Sequence, residues 1–442
     1  MDIRRSPSTD PVTRDRIRRR GTAQAVLDNE ETLYFVNATL GTPPQSLRLH
    51  LDTGSSDLWV NTPRSELCQS RGSPCRFAGT YDANASSTYE YIGSYFNISY
   101  VDGSGASGDY VSDTITIGQA QLDRLQFGVG YSSSSAQGIL GVGYAVNEVQ
   151  VGRAGKSAYR NLPAQMVADG LIRSNAYSLW LNDLDSNTGS ILFGGVDTER
   201  FEGSLQTLPI QAQAGVFSEF LITLTGIQLG NQSVADDLAL AVLLDSGSSL
   251  SYLPDDLVQQ IYAAVGARYD ADSGSAYVPC SLADQDASLT FTFTSPTIAV
   301  AMNELVLELV TTSGRRPSFQ DGQPACLFGI GPAGGGTNVL GDTFLRSAYV
   351  VYDLDNNQIS LAQTRFNATA THVLEIGTGD DAVPGAKVVA NAVRATQGIV
   401  GGGSAVGLGV SGNGARPETG GGRSVFAAAA VGVAAGMLLF FV

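Results

Sequence analysis

At 442 residues with 52 glycines, the chain is long enough for two domains with substantial cores. Its 42 acidic residues outnumber 26 Lys plus Arg, and the resulting formal charge of −16 excludes the basic surface that nucleic-acid phosphates require. Only two histidines accompany four cysteines, none at zinc-ligand spacing, so neither a metal nor another cofactor is expected.

The chain opens on Met1 to Gly21, which lacks the apolar segment of a secretory signal and carries the basic cluster Arg16-Ile17-Arg18-Arg19-Arg20. That cluster reads as a furin/kexin-type processing site. Residues 1–20 are therefore expected to end a propeptide whose signal sequence lies outside this sequence, with a kexin-type protease as processing partner.

From about Leu33 to Phe366, short alternating apolar and polar runs are punctuated by Gly, Ser, Asn and Asp, a predominantly β pattern. Representative strands are Phe35 to Leu40, Ser46 to Leu51, Tyr95 to Tyr100, Tyr110 to Ile117, Ser190 to Phe193 and Phe220 to Leu229. Helical periodicity is confined to Leu162 to Val167, ending near Gly170, and to Asp255 to Ala267, with Leu257, Ile261 and Val265 on one face. A boundary between two lobes is expected near Gly194-Gly195-Val196-Asp197.

The cysteines fall as one pair per half, so Cys68–Cys75 and Cys280–Cys326 are the economical disulfides, implying an oxidising compartment. Five Asn-x-Ser/Thr acceptors, Asn37, Asn84, Asn97, Asn231 and Asn367, agree with a secretory route. Beyond Asn367 the composition shifts to Gly, Ala and Val with little periodicity, which reads as a flexible stalk. Gly412-Asn413-Gly414-Ala415, a polar spacer of roughly ten residues and the uncharged Val425 to Val442 match the pattern of a GPI-anchor signal. Asn413 is the expected attachment residue; a tail-anchored transmembrane helix is the competing reading.

Two short stretches are near-copies. Asp52-Thr53-Gly54-Ser55-Ser56 follows the apolar run Leu47 to Leu51, and Asp245-Ser246-Gly247-Ser248-Ser249, 193 residues on, follows Leu240 to Leu244. Each sets a carboxylate at a strand end, with Gly54 or Gly247 permitting a tight turn. Each is echoed downstream by a second element, Ile139-Leu140-Gly141 and Val339-Leu340-Gly341. The chain thus reads as two related lobes sharing one site. Paired carboxylates cannot both ionise cheaply. One can take a proton from water while the other donates to a carbonyl oxygen, which supplies base and acid for amide hydrolysis. The Ser55 and Ser248 hydroxyls are placed to hold the carboxylates. His50 and His372 lie near no nucleophile-elbow pattern, which argues against a serine triad.

On these residues the chain resembles pepsin-type (A1 family) aspartic endopeptidases over roughly 33–366. Leu51 to Val60 resembles the first catalytic segment, and Ile98 to Ser104 with Ser107-Gly108 resembles the flap hairpin. Gly138 to Gly141, Leu243 to Ser249 and Val339 to Arg346 complete the match. The basic leader, Gly-rich stretch and tail are similar to the fungal yapsin/OpsB-like cell-surface branch. The resemblance implies an all-β bilobal pepsin-like fold with few short helices and a cleft between lobes. It also implies that Asp52 and Asp245 are catalytic, that Tyr100 and Gly103 belong to the flap, and that Trp59 hydrogen-bonds Tyr100.

Ser246 stands where many relatives have threonine and Val101 where glycine is usual. Asp102 beside it is a candidate for favouring Lys or Arg before the scissile bond. No dibasic pair lies between Cys68 and Cys75, so a single-chain body is expected.

The expected division is 1–20 propeptide remnant, 21–195 N-terminal lobe, 196–367 C-terminal lobe, 368–424 stalk and 425–442 tail. The function expected is a monomeric, GPI-anchored endopeptidase at the cell surface, acting on polypeptides at acidic pH. A catalytically silent surface binding or wall protein on the same fold, and a vacuolar protease, are the alternatives.

Overall fold

The duplicated motifs fold into duplicated topology. In the computed structural model, which describes residues 2–8, 27–100, 103–186, 188–311 and 316–399, strand Gln45–Asp52 lies parallel to Ile139–Gly141, which runs antiparallel to Leu58–Asn61. The second half repeats this: Leu240–Leu244 lies parallel to Val339–Leu340, itself antiparallel to Ser251–Leu253. Each downstream element is therefore threaded between the strand entering an aspartate turn and the strand leaving it. Leu240–Leu244 is buried throughout, as its unbroken apolar run demands. A Cβ at Gly141 would stand 2.7 Å from the backbone nitrogens of Ser56 and Asp57, and one at Gly341 would overlap the Ser248 and Leu250 carbonyls. Close backbone approach thus explains why each threaded element ends in glycine.

The two halves share a fifteen-stranded sheet. Ala176–Trp180 pairs with Thr188–Phe193 on one side and Ala348–Asp353 on the other, and Gln358–Gln363 and Gln206–Pro209 extend it. Asp2–Ser8, within the expected propeptide remnant, pairs with Leu27–Leu40 and Thr188–Phe193 in this sheet. Arg16 to Arg20 lies outside the described residues. Four smaller sheets complete the described structure, one of them the two-stranded pair of Gly195–Asp197 and Val373–Glu375.

Where the two halves meet, Tyr177 stacks on Tyr352 with ring centroids 5.0 Å apart, and Phe220 meets Tyr352 edge-on at 4.7 Å. Offset and edge-on ring contacts of this kind add to the area the rings bury. Helix Asp255–Val265 buries Leu257, Val258, Ile261 and Tyr262 and is stopped by Gly266 at φ +70°. The disulfides pair as expected, Cys68–Cys75 and Cys280–Cys326, with Cα separations of 5.1 and 5.0 Å. No helix among the described residues is long and apolar enough to cross a membrane; Val425 to Val442 lies outside them.

The expected stalk differs from the structure over its first part. Residues 368–399 form a strap laid along the second lobe. Val373–Glu375 pairs with Gly195–Asp197, and Lys387–Val388 joins Gln206–Pro209 as a parallel strand. The Ala241 amide donates to the Gln397 carbonyl at 2.8 Å. Ile376, Ala382 and Val383 are buried with Val196, Phe201 and Tyr349.

Asp197 pins the start of the strap by accepting from the Thr371 hydroxyl at 2.6 Å and the His372 amide at 2.8 Å. Burial pushes its carboxyl upward, but these bonds, the Glu199 amide and Arg200 outweigh that and hold it below the usual range. Composition concealed the strap because its buried side chains are few and widely spaced. Limited proteolysis of the folded protein is expected to leave 368–399 intact. An early cut between Asn367 and Val388 would contradict a docked strap.

Candidate active site

Asp52 and Asp245 are buried, 3% and 5% exposed, at the ends of corresponding strands. The local bonding is the same in both. The Gly54 amide donates to Asp52 Oδ1 at 2.8 Å, and the Gly247 amide donates to Asp245 Oδ1 at 2.7 Å. Ser55 Oγ donates to Asp52 Oδ2 at 2.5 Å, and Ser248 Oγ donates to Asp245 Oδ2 at 2.8 Å. Each carboxylate is therefore fixed in plane by one amide and one hydroxyl from its own turn.

The turns also lock each other. The Ser246 amide donates to Thr53 Oγ1 at 3.0 Å, and the Thr53 amide donates to Ser246 Oγ at 3.2 Å. Each hydroxyl then donates across to the other strand's carbonyl: Thr53 to Leu244 at 2.9 Å and Ser246 to Leu51 at 3.1 Å. All four bonds are buried, where an unmade bond costs the full desolvation of its polar group. Sequence reasoning did not single out Thr53 or assign Ser246 this task. The available signal was that both motifs carry a hydroxyl at their second position. Serine at 246 retains the bonding a threonine would make.

The carboxylates face each other across the grip. A Cβ at Gly54 would lie 2.6 Å from Asp245 Oδ1, and one at Gly247 would overlap Asp52 Oδ1. The glycines are thus required by the opposite aspartate as well as by the turn. Gly247→Ala is expected to cost about 1–3 kcal/mol of stability through overpacking. It should also lower kcat at least tenfold by displacing Asp52. Kinetics on folded variant, beside its unfolding midpoint, checks both, and unchanged kcat would contradict the close approach.

The hairpin of Glu90–Ser99 and Gly105–Ile117 carries Tyr100 at its tip. The Trp59 indole N–H donates to the Tyr100 hydroxyl at 2.7 Å. The tip closes as a tight turn, with the Tyr100 amide donating to the Ser104 carbonyl at 2.8 Å and Gly103 at φ +78°. That backbone conformation favours glycine. Val101 and Asp102 lie outside the described residues.

Behind the flap sits an acidic cluster that sequence reasoning missed, because Asp57 read as part of the first catalytic segment and nothing in the sequence links it to Glu148, 91 residues on. Asp57 is fully buried, and Glu148 is 1% exposed. Glu148 Oε2 accepts from the Tyr159 amide at 2.8 Å, while its Oε1 is buried without a partner. Burial, reinforced by the Asp57 charge and only partly offset by the Tyr159 amide, pushes the Glu148 carboxyl up to about 10. Burial also raises Asp57, against the hydrogen bonds it accepts.

The five expected glycosylation asparagines are all exposed. Asn97, on the flap's outgoing strand, has its side-chain oxygen 3.2 Å from the Arg153 guanidinium, which donates to it. Asn413 lies outside the described residues.

The chain is similar to known aspartic proteases. The description "Eukaryotic aspartyl protease" matches residues 33–364. The chain is 62% identical over 401 residues to the probable aspartic-type endopeptidase opsB of Aspergillus oryzae, covering 89% of this chain and 81% of that protein. It is 37% identical over 364 residues to secreted aspartic protease 3 of Candida albicans, covering 80% and 85%. Among solved structures, the aspartic proteinase from Irpex lacteus superposes with a TM-score of 0.62 at 22% identity, over 84% of this chain and all of that one. At that identity the likeness speaks for the fold alone.

Proposed function

The chain belongs to the eukaryotic aspartyl protease family, and on that premise we propose that Asp52 and Asp245 are the catalytic pair with which it hydrolyses peptide bonds in acid. It is an aspartic-type endopeptidase, and polypeptides are its substrates. The observation that carries the residue assignment is the cross-bonded pair of turns, which sets each carboxylate against the other motif's glycine.

Two carboxylates in such a pair hold one proton between them. The ionised member takes a proton from a water, whose oxygen bonds to the scissile carbonyl carbon. The protonated member donates to the carbonyl oxygen as the tetrahedral species forms. Collapse breaks the C–N bond: the carboxyl that took the water proton passes it to the leaving nitrogen. A hydroxyl of the tetrahedral species returns its proton to the other carboxylate and restores the single shared proton. Both aspartates have matching amide and serine donors, so the roles belong to the pair rather than to either residue. Tyr100, held by Trp59, covers the substrate and excludes water.

The finer reading is a secreted, monomeric enzyme, freed by a kexin-type cut at Arg16 to Arg20 and carried on a GPI anchor at Asn413. Two disulfides, exposed acceptors at Asn37, Asn84, Asn97, Asn231 and Asn367, and the kinship with a secreted Candida protease support that route. Asp102 on the flap turn favours Lys or Arg before the scissile bond by charge pairing.

The test is cleavage of quenched peptides with Lys, Arg, Leu or Phe at that position, from pH 3 to 7, with and without pepstatin. Acidic, pepstatin-sensitive cleavage is expected, with the basic preference reduced in Asp102→Ser. Release of the cell-surface protein by phosphatidylinositol-specific phospholipase C tests the anchor. Absence of cleavage by folded, processed enzyme would overturn the catalytic reading.

A further inference from the structure

Asp57 lies five residues beyond Asp52, yet both its oxygens are engaged in the apolar cluster beneath the flap rather than with the dyad. Its partners come from three elements. The Tyr110 hydroxyl, on the flap's returning strand, donates to Oδ1 at 2.6 Å. The Tyr159 hydroxyl, from the segment before helix Leu162–Ala168, donates to the same oxygen at 3.0 Å. The Val149 amide donates to Oδ2 at 2.8 Å. All three partners donate, so both carboxyl oxygens serve as acceptors. An asparagine would present its own N–H groups to one of these partners.

Only one of these partners belongs to the flap, and it is built into both flap strands. The Tyr110 ring meets Phe96 edge-on at 5.2 Å and Tyr95 at 5.3 Å, both on the outgoing strand. Phe96 in turn lies 6.4 Å from the Trp59 ring. Asp57 and Trp59 are two residues apart on the stretch leaving the catalytic turn. The hairpin is thus attached to that stretch twice, at its tip through Tyr100 and Trp59 and at its stem through Tyr110 and Asp57. Two attachment points fix an angle where one would leave a pivot.

We propose that Asp57 is a positioning residue for the flap, acting through Tyr110 to hold the hairpin at the angle that sets Tyr100 over the paired aspartates. The proposal rests on the peptidase reading above. Its specific content is that the Tyr110 bond orients substrate-covering structure, whereas the Tyr159 bond to the same oxygen only adds stability.

The experiment compares Tyr110→Phe, Tyr159→Phe, Asp57→Asn and the double variant Asp57→Asn/Tyr110→Phe at active-site concentrations titrated with pepstatin. Tyr110→Phe is expected to raise KM about tenfold on a peptide spanning the cleft, with kcat within about threefold. Tyr159→Phe should lower Tm and leave KM within about twofold. The double variant should raise KM no further than Asp57→Asn, the non-additivity of residues acting as one unit.

A second readout needs no cleavage. The chain has two tryptophans, so in a Trp180→Phe background Trp59 reports alone. Its acrylamide quenching should rise in Tyr110→Phe and Asp57→Asn but not in Tyr159→Phe. That readout separates failure of this proposal from failure of the peptidase reading. Equal shifts in Tyr110→Phe and Tyr159→Phe, or a loss of Tm with KM and quenching unmoved, would overturn it.

Discussion

Raising the pH from 4.5 to 7.5 is expected to cost the folded body on the order of 4 kcal/mol through Glu148 alone, at about 1.4 kcal/mol per pH unit for one proton. The Glu148 carboxyl, 4.5 when free, is pushed up to about 10 in the folded chain, chiefly by burial. Below pH 4.5 it is protonated in both states and adds no pH dependence. Above that the unfolded chain releases the proton while the folded chain keeps it, so the folded state loses ground at each step until about pH 10. Asp57, also raised by burial, loses stability in the same direction as pH climbs. Both acids sit under the flap, so the N-terminal lobe should fail first.

Glu148→Gln cannot ionise and removes one proton from the difference between the states. Its unfolding free energy, measured by denaturant titration at pH 4.5, 6 and 7.5, should therefore fall less steeply with pH than that of the wild type. Parallel slopes would contradict the assignment. A lobe built this way is stable in acid, the condition in which the paired aspartates are proposed to work.

The sequence made some levels of this structure legible and hid others. The aspartate turns could be read because their chemistry is local: strand, carboxylate, glycine and hydroxyl follow within five residues, twice. The threaded elements were visible for the same reason, since Gly141 and Gly341 mark backbone approaches that allow no side chain. The disulfides were readable because each half offered a single pair.

What stayed hidden depends on contacts between distant residues. The mutual bonds of Thr53 and Ser246 span 193 residues, and neither residue looks unusual alone. Asp57 resembles a solvated turn residue until Tyr110, Val149 and Tyr159 converge on it. The strap at 368–399 has a linker's composition, yet Ile376 and Val383 are buried and its edges complete other strands. Composition measures how much apolar surface a segment has, not whether a partner waits for it.

The measurement that tests the central claim most directly is the turnover of Asp52→Asn, Asp245→Asn and the double variant on one quenched peptide at acidic pH, each shown to be folded. The amide keeps the size of the carboxyl and its contacts with the turn, but it cannot exchange the proton the reaction moves. Each single variant is expected to lose roughly 10³-fold or more in kcat, about 4 kcal/mol of transition-state stabilisation. The double variant should fall to the same floor, since residues acting as one unit are not additive. A single variant retaining more than about a tenth of wild-type kcat, or losses that multiply in the double variant, would contradict a shared two-aspartate site.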